Sequence, residues 1–68
     1  MENIKGFKNL TKKQQDLLIA VNTKHKSGVG TDEKDGFTPV KVVPDHSRLR
    51  VWFKNGLWLY YTEKGEWY

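Results

Sequence analysis

Residues 50–61 read RVWFKNGLWLYY, and this stretch decides the fold. Large apolar and aromatic side chains stand on both sides of a central Asn55-Gly56 step. Asn-Gly is the strongest short-range signal for a two-residue β-hairpin turn, because both residues tolerate positive φ. The sequence therefore predicts two antiparallel strands that meet at Asn55 and Gly56.

A two-residue turn also predicts which residues lie opposite one another. It pairs Lys54 with Leu57, and the later pairs follow outward until Arg50 faces Tyr61. Paired residues share a face of the sheet, and the faces alternate along each strand. The predicted core face comprises Leu49, Val51, Phe53, Trp58 and Tyr60, with Val40, Val42 and Trp67 from the neighbouring segments.

The opposite face of the predicted sheet combines basic with aromatic and aliphatic side chains. It comprises Lys41, Arg48, Arg50, Trp52, Lys54, Leu57, Leu59, Tyr61 and Tyr68. A single helix covers only one side of a sheet, and an exposed apolar surface rimmed by basic residues typically marks an interaction site. We therefore predict these residues as the ligand-binding face.

The first half of the chain predicts one helix at about residues 12–26. Thr11 and Gln14 have the spacing of a capping box, and Gly28 is a plausible stop after basic residues in the last turn. The predicted apolar stripe of the helix comprises Leu17, Leu18, Ile19, Ala20 and Val21. Ile4 and Phe7 precede the helix as a short turn that folds back on the core.

The second half predicts strands. Residues 37–43 alternate between apolar and polar, and Pro39 marks this segment as an edge strand. Residues 44–47, Pro-Asp-His-Ser, predict a four-residue turn, and Lys64-Gly65 predicts a tight turn into a short last strand. The predicted fold class is α+β: a single domain over residues 1–68, with an N-terminal helix packed on a three- to four-stranded antiparallel β-meander. Residues 27–36 are predicted as a flexible loop.

Composition narrows the function classes. The chain has 68 residues, a net charge of +4 and no cysteine. Without cysteine there is no disulfide framework, no thiolate zinc site and no thiol nucleophile. No apolar run approaches the roughly 20 residues that span a bilayer. We expect a cytoplasmic protein with no membrane partner.

Two short motifs contain residue types that elsewhere carry chemistry. Residues 28–33 resemble the Gly-x-Gly-Thr-Asp/Glu calcium loop of annexin repeats, but an annexin loop opens into a long helix whereas the residues after Gly36 predict a strand. Asp45, His46 and Ser47 are consecutive residues of a turn and do not converge as a hydrolase triad. We expect no catalytic residues, no cofactor and no metal site, and we expect His25 to complement the helix dipole.

Three interpretations of the basic and aromatic face stay open. The first is nucleic acid, in particular a single strand whose bases stack on the rings while its phosphates follow the cations. The second is a protein-interaction module, such as an inhibitor of a host or defence protein, or a homodimer through the same face. The third is burial under another part of the chain. Size, basic charge and the absence of cysteine are similar to those of small accessory proteins of phages and mobile elements.

Overall fold

A capping box at Thr11 starts helix α1 (Lys12–Ser27), as predicted. In the computed structural model, which describes residues 4–68, Thr11 Oγ1 accepts a hydrogen bond from Gln14 N at 3.1 Å, and Gln14 Oε1 accepts one from Thr11 N at 2.9 Å. Gly28 caps the C-terminus. The predicted stripe is too wide, because Ile19 and Ala20 are exposed. No helix between residues 4 and 68 has the length and apolar character needed to cross a membrane.

The three strands β1 (Pro39–Asp45), β2 (Arg48–Phe53) and β3 (Trp58–Thr62) form an antiparallel meander in the order β1-β2-β3. The α+β fold with one helix and a three-stranded meander is therefore confirmed. Residues 66–68, here called the C-terminal segment, lie against the free edge of β3. Tyr60 and Tyr68 exchange two backbone hydrogen bonds of 3.0 and 3.1 Å, and Trp67 forms a single bridge with Tyr61.

Strand β1 lies at the edge of this sheet, as Pro39 predicts, and residues before the helix cover part of that edge. Lys5 N donates to Val40 O at 3.0 Å, and Val42 N donates to Lys5 O at 2.9 Å. The predicted fold-back of this segment is confirmed, since Ile4 is buried in the core. Gly6, at φ 88°, passes so close to the Val42 carbonyl that a Cβ would overlap its oxygen.

Two predictions for β1 are wrong. An irregularity in the register between Pro39 and Lys41 turns Val40 outward, so Val40 is exposed rather than part of the core. The turn that follows has two residues and not four, because Asp45 still pairs with Arg48. His46 provides the positive φ, 57°, that this tighter turn requires.

The hairpin at Asn55-Gly56 exists, but its loop is one residue longer than predicted. Phe53 N donates to Leu57 O at 2.9 Å, and Gly56 N donates to Phe53 O at 3.0 Å, which leaves Lys54, Asn55 and Gly56 in the loop. Only Gly56 has a positive φ, 86°, whereas the type I′ turn that Asn-Gly favours requires a positive φ at both positions. Asn55 Oδ1 accepts from Leu57 N at 3.0 Å, which stabilises the longer loop.

The extra loop residue reverses the two faces of β3. Trp52 pairs with Trp58 and Val51 with Leu59, one residue away from the predicted register. Because side chains alternate, a slip of one residue moves every side chain of a strand to the other face. Trp58 and Tyr60, predicted in the core, lie on the outside, whereas Leu59 and Tyr61, predicted on the binding face, lie inside.

Packing explains why the chain takes this register. The core comprises Ile4, Leu10, Leu18, Val21, Val42, Leu49, Val51, Phe53 and Tyr61, with Phe7, Leu17, Phe37, Leu59 and Trp67 packed against it. Tyr61 is 0% exposed, and a buried phenol requires a hydrogen-bond partner. Asn22 Nδ2 of α1 donates to its oxygen at 3.1 Å, and His25 Nδ1 lies 2.9 Å from it. Trp58, by contrast, is 47% exposed.

A pair of hydroxyl deletions tests the assignment of the two faces. We expect Tyr61→Phe to lower the free energy of unfolding by about 1–3 kcal/mol, because it removes a buried hydrogen-bond partner of Asn22 and His25. Tyr60→Phe removes a half-buried hydroxyl and should cost less than about 1 kcal/mol. Urea denaturation of both variants measures the two values, and the reverse order would contradict this register.

Candidate functional site

The side of the sheet that faces away from α1 carries a continuous set of basic and aromatic side chains, here called the outer face. Residues that pair across the strands form three rows on this face. The first row comprises Lys41, Trp52 and Trp58, the second comprises Val43, Arg50, Tyr60 and Tyr68, and the third comprises Asp45 and Arg48. The helix packs into the core on the other side, so the outer face stays accessible. Trp58 is 47% and Tyr68 59% exposed.

Cations and rings alternate in close contact on the outer face. Lys41 Nζ lies 4.8 Å from the centre of the Trp52 ring. Arg48 Cζ lies 3.8 Å from the centre of the Tyr60 ring, and Arg50 Cζ lies 5.3 Å from that of Trp58. These distances fall within the range of cation–π attraction. The rings therefore hold the long basic side chains in place along the sheet.

The rings themselves form a connected series across the face. Trp52 and Trp58 have ring centres 6.4 Å apart, Trp58 and Tyr60 5.3 Å, and Tyr60 and Tyr68 5.4 Å. Neighbouring rings at these distances support one another by edge and offset contacts. The outer face is thus a row of four aromatic rings with cations between them.

One carboxylate connects the two arginines. Asp45 Oδ2 lies 3.4 Å from Arg50 Nη2 and 3.6 Å from Arg48 Nη2. Arg50 Nη2 also donates to the Tyr60 hydroxyl at 3.2 Å, whereas Arg50 Nε is buried with no hydrogen-bond partner within residues 4–68. Arg48 Nη1 donates to the Tyr68 hydroxyl at 2.6 Å, and this hydrogen bond raises the pKa of Arg48 above its ordinary value. Like every arginine in a protein, Arg48 keeps its positive charge.

Five of the nine residues predicted for the binding face lie on the outer face: Lys41, Arg48, Arg50, Trp52 and Tyr68. Leu59 and Tyr61 do not, because the longer hairpin loop turns both toward the core. Lys54 and Leu57 lie in or beside that loop, where Lys54 Nζ pairs with Asp35 Oδ2 at 3.0 Å and Leu57 is 55% exposed. The structure therefore does not place these four residues on the outer face.

The structure adds residues that the predicted register excluded. Trp58 and Tyr60 lie on the outer face and replace Leu59 and Tyr61 there, and Asp45 lies beside the arginines. A signal for Trp58 and Tyr60 exists in the sequence, since a three-residue loop that ends in glycine is the next most common hairpin connection. That loop places Trp58 and Tyr60 on the outer face, so the sequence is compatible with both orientations of β3.

A second polar cluster lies in the core. His25 is 3% exposed and lies among the rings of Phe37, Phe53, Tyr61 and Trp67, with the Trp67 ring stacked at 5.0 Å. Because Asn22 already donates to the Tyr61 oxygen, the Tyr61 hydroxyl is able to donate to His25 Nδ1. Burial lowers the pKa of His25 and raises that of Tyr61 to about 12.

His25 therefore does not act as an exposed partner of the helix dipole. The missed signal is helical spacing: Leu18, Val21, Asn22 and His25 stand at i, i+3, i+4 and i+7, which places all four on the buried stripe of α1. The C-terminal segment joins this cluster to the outer face, because Trp67 stacks on His25 while the next residue, Tyr68, receives the hydrogen bond from Arg48.

The loop with the annexin-like sequence does not open into a long helix. Turns lead from Gly28 to a short 3₁₀ helix (Asp35–Phe37), and β1 follows at once. Across the part of the chain that the structure describes, no group of three or more His, Cys, Asp or Glu side chains is placed to hold a metal ion.

Similarity to other proteins provides no further guidance. Comparison of the chain with protein-family models, with curated proteins and with solved structures found no match. The functional interpretation therefore depends on the geometry of this chain alone.

The buried histidine predicts how stability depends on pH. Because the folded-state pKa of His25 lies below its ordinary value of 6.5, the unfolded chain binds this proton more tightly. The contribution of His25 to stability should therefore be constant above about pH 7.5 and be lost as the pH falls through 6.5 and below, by at most about 1.4 kcal/mol per pH unit. Denaturation midpoints measured from neutral pH down to about pH 5 report this slope before most carboxylates titrate.

A matched pair of histidine variants assigns the slope. His25→Gln should be less stable at neutral pH but show a flatter profile than His46→Gln, in which the exposed histidine is removed instead. An unchanged slope in His25→Gln would show that another group is responsible.

Proposed function

We propose that this protein is a small non-enzymatic binding module that contacts single-stranded nucleic acid through its outer face. The observation that carries the proposal is the position of Trp58, a half-exposed ring beside Trp52 with the Arg50 guanidinium 5.3 Å from its centre. A half-exposed ring with a cation beside it is suited to stack an unpaired base.

The chemistry of single-strand binding requires two components on one surface. Aromatic rings stack bases for about 1–3 kcal/mol each, and basic side chains follow the phosphates. Trp52, Trp58, Tyr60 and Tyr68 supply the rings, whereas Lys41, Arg48 and Arg50 supply the charge. Alternation of the two types along a sheet favours an extended strand over a duplex, because stacking on the rings requires unpaired bases.

A protein partner is the second candidate, and the composition of the same face favours it. Trp, Tyr and Arg are the residue types enriched at energetic hot spots of protein interfaces. Asp45 reduces the positive charge of the face, which weakens attraction for a polyanion. In this alternative the protein is an inhibitor of a host or defence protein, of phage or mobile-element origin, or a homodimer. Cytoplasmic location is part of both proposals.

Fluorescence anisotropy with a labelled oligothymidylate tests the first proposal. If Lys41 neutralises one phosphate, and Arg48 and Arg50 together neutralise another because Asp45 offsets one of their charges, log K should fall with log salt at a slope of about −1.4 between about 50 and 200 mM. Trp58→Ala should weaken binding by about 1–3 kcal/mol, the contribution of one stacked base. Trp52→Ala should also cost more than the loss of any single lysine.

Matched variants separate the outer face from the remaining surface. Leu57→Ala removes a similarly exposed apolar side chain next to the hairpin loop, and Lys13→Ala removes an exposed cation from α1; neither should change the affinity. Lys41→Ala should weaken binding and reduce the salt slope. Light scattering on the same samples discriminates the alternatives: a stable dimer with no strand binding at low salt would refute the nucleic-acid proposal and favour a protein partner.

A further inference from the structure

We infer that Arg48 and Arg50 form a binding site for one phosphate group, here called the phosphate subsite. In the free protein the carboxylate of Asp45 occupies this subsite. The inference rests on the proposed function, because it identifies where the backbone of a bound strand meets the outer face. Asp45 thereby acts as an internal competitor that a phosphate of the ligand must displace.

The geometry begins with one shared oxygen. Asp45 Oδ2 lies within 4 Å of a terminal nitrogen of each arginine, at 3.4 Å from Arg50 Nη2 and 3.6 Å from Arg48 Nη2. Two guanidinium groups thus converge on a single anionic oxygen, and the group of three retains one unit of positive charge. An arginine pair with this convergence is the arrangement that binds phosphate oxygens in proteins.

The contacts of Asp45 are long for a settled ion pair. Strong charge-assisted N–H···O hydrogen bonds measure about 2.7–2.9 Å, and both distances to Asp45 exceed this range. The side chains are also partly open to water, with 24% of Asp45, 34% of Arg48 and 39% of Arg50 exposed. Ion pairs of this kind are screened and weak, so an incoming anion displaces the carboxylate at little cost.

The arginines, in contrast, have further contacts that do not involve Asp45. Arg48 donates to the Tyr68 hydroxyl at 2.6 Å and lies against the Tyr60 ring, and Arg50 donates to the Tyr60 hydroxyl at 3.2 Å. Removal of the carboxylate therefore leaves both guanidinium groups in position. A phosphodiester carries the same charge and two unesterified oxygens, so it is able to bridge both arginines where Asp45 offers one oxygen between them.

The position of the subsite also fits the stacking rings. Arg50 lies 5.3 Å from the centre of the Trp58 ring and 5.9 Å from that of Trp52. A phosphate held by the arginines therefore stands next to the rings that take the bases. Asp45 lowers the affinity of this contact, since a phosphate that binds the two arginines has to replace the carboxylate.

The test compares Asp45→Asn with Asp32→Asn in binding to the labelled oligothymidylate. Both substitutions remove one negative charge, but Asp32 lies in the exposed loop at the other end of the hairpins, beside Asn55 and Leu57. We expect Asp45→Asn to bind about three- to tenfold more tightly at about 50 mM salt and to steepen the salt slope by about 0.7, the value for one further phosphate of a single strand. Asp32→Asn should match the wild type.

Side-chain NMR provides a second measurement that does not depend on the bases. Titration with inorganic pyrophosphate should shift the guanidinium resonances of Arg48 and Arg50 together, and at lower concentration in Asp45→Asn than in the wild type. Thermal melts of Asp45→Asn and Asp32→Asn verify that each variant is folded.

The outcomes are distinguishable. Equal or weaker strand binding by Asp45→Asn, while the wild type binds, would overturn the subsite and leave the proposed function intact, because Asp45 would then be a positioning group for the arginines. An equal gain in affinity in Asp32→Asn would show that the effect comes from the net charge of the protein, and it would overturn the subsite as well. No strand binding by either the wild type or Asp45→Asn would overturn both proposals.

Discussion

The three-residue loop of Lys54, Asn55 and Gly56 is the constraint on which the other features of the fold depend. It pairs Trp52 with Trp58 and so determines, for every residue of β3, whether the side chain points to the helix or to solvent. A loop shorter by one residue would bury Trp58 and expose Tyr61. The outer face, the core and the polar cluster all follow from this choice.

The core stabilises this register in return. Tyr61 brings a hydroxyl into an apolar interior, and an unpaired buried hydroxyl costs several times the net gain of a made hydrogen bond. Asn22 and His25 are the groups of α1 that meet it. Helix and hairpin are thus matched by a polar contact as well as by apolar packing. Trp67 then closes the cluster and brings Tyr68 to the outer face.

Local signals in the sequence predicted most of the elements. The capping box, the helix over nearly its full length, the edge position of β1 and the meander all follow from patterns a few residues long, and the structure confirms them. The face of β3 was not predictable in the same way, because it depends on one residue of loop length. The partners of Tyr61 come from a helix about 40 residues earlier in the chain, and hairpin propensity alone contains no information about that contact. As a result, five of the nine predicted site residues lie on the outer face, and the most exposed tryptophan was missed.

Nuclear Overhauser effects between Hα protons across β2 and β3 test the register most directly. Arg50–Tyr60 is a non-hydrogen-bonded pair, since the backbone N–H and C=O of Tyr60 bond to Tyr68 instead. Trp52–Trp58 lies two residues further along both strands, so it is a non-hydrogen-bonded pair as well. Such pairs bring their Cα atoms to about 4.5 Å. The account predicts strong Hα–Hα contacts for Trp52–Trp58 and Arg50–Tyr60. Strong contacts for Phe53–Trp58 or Val51–Tyr60 would contradict it, because these are the non-hydrogen-bonded pairs of the register that a two-residue turn at Asn55-Gly56 imposes.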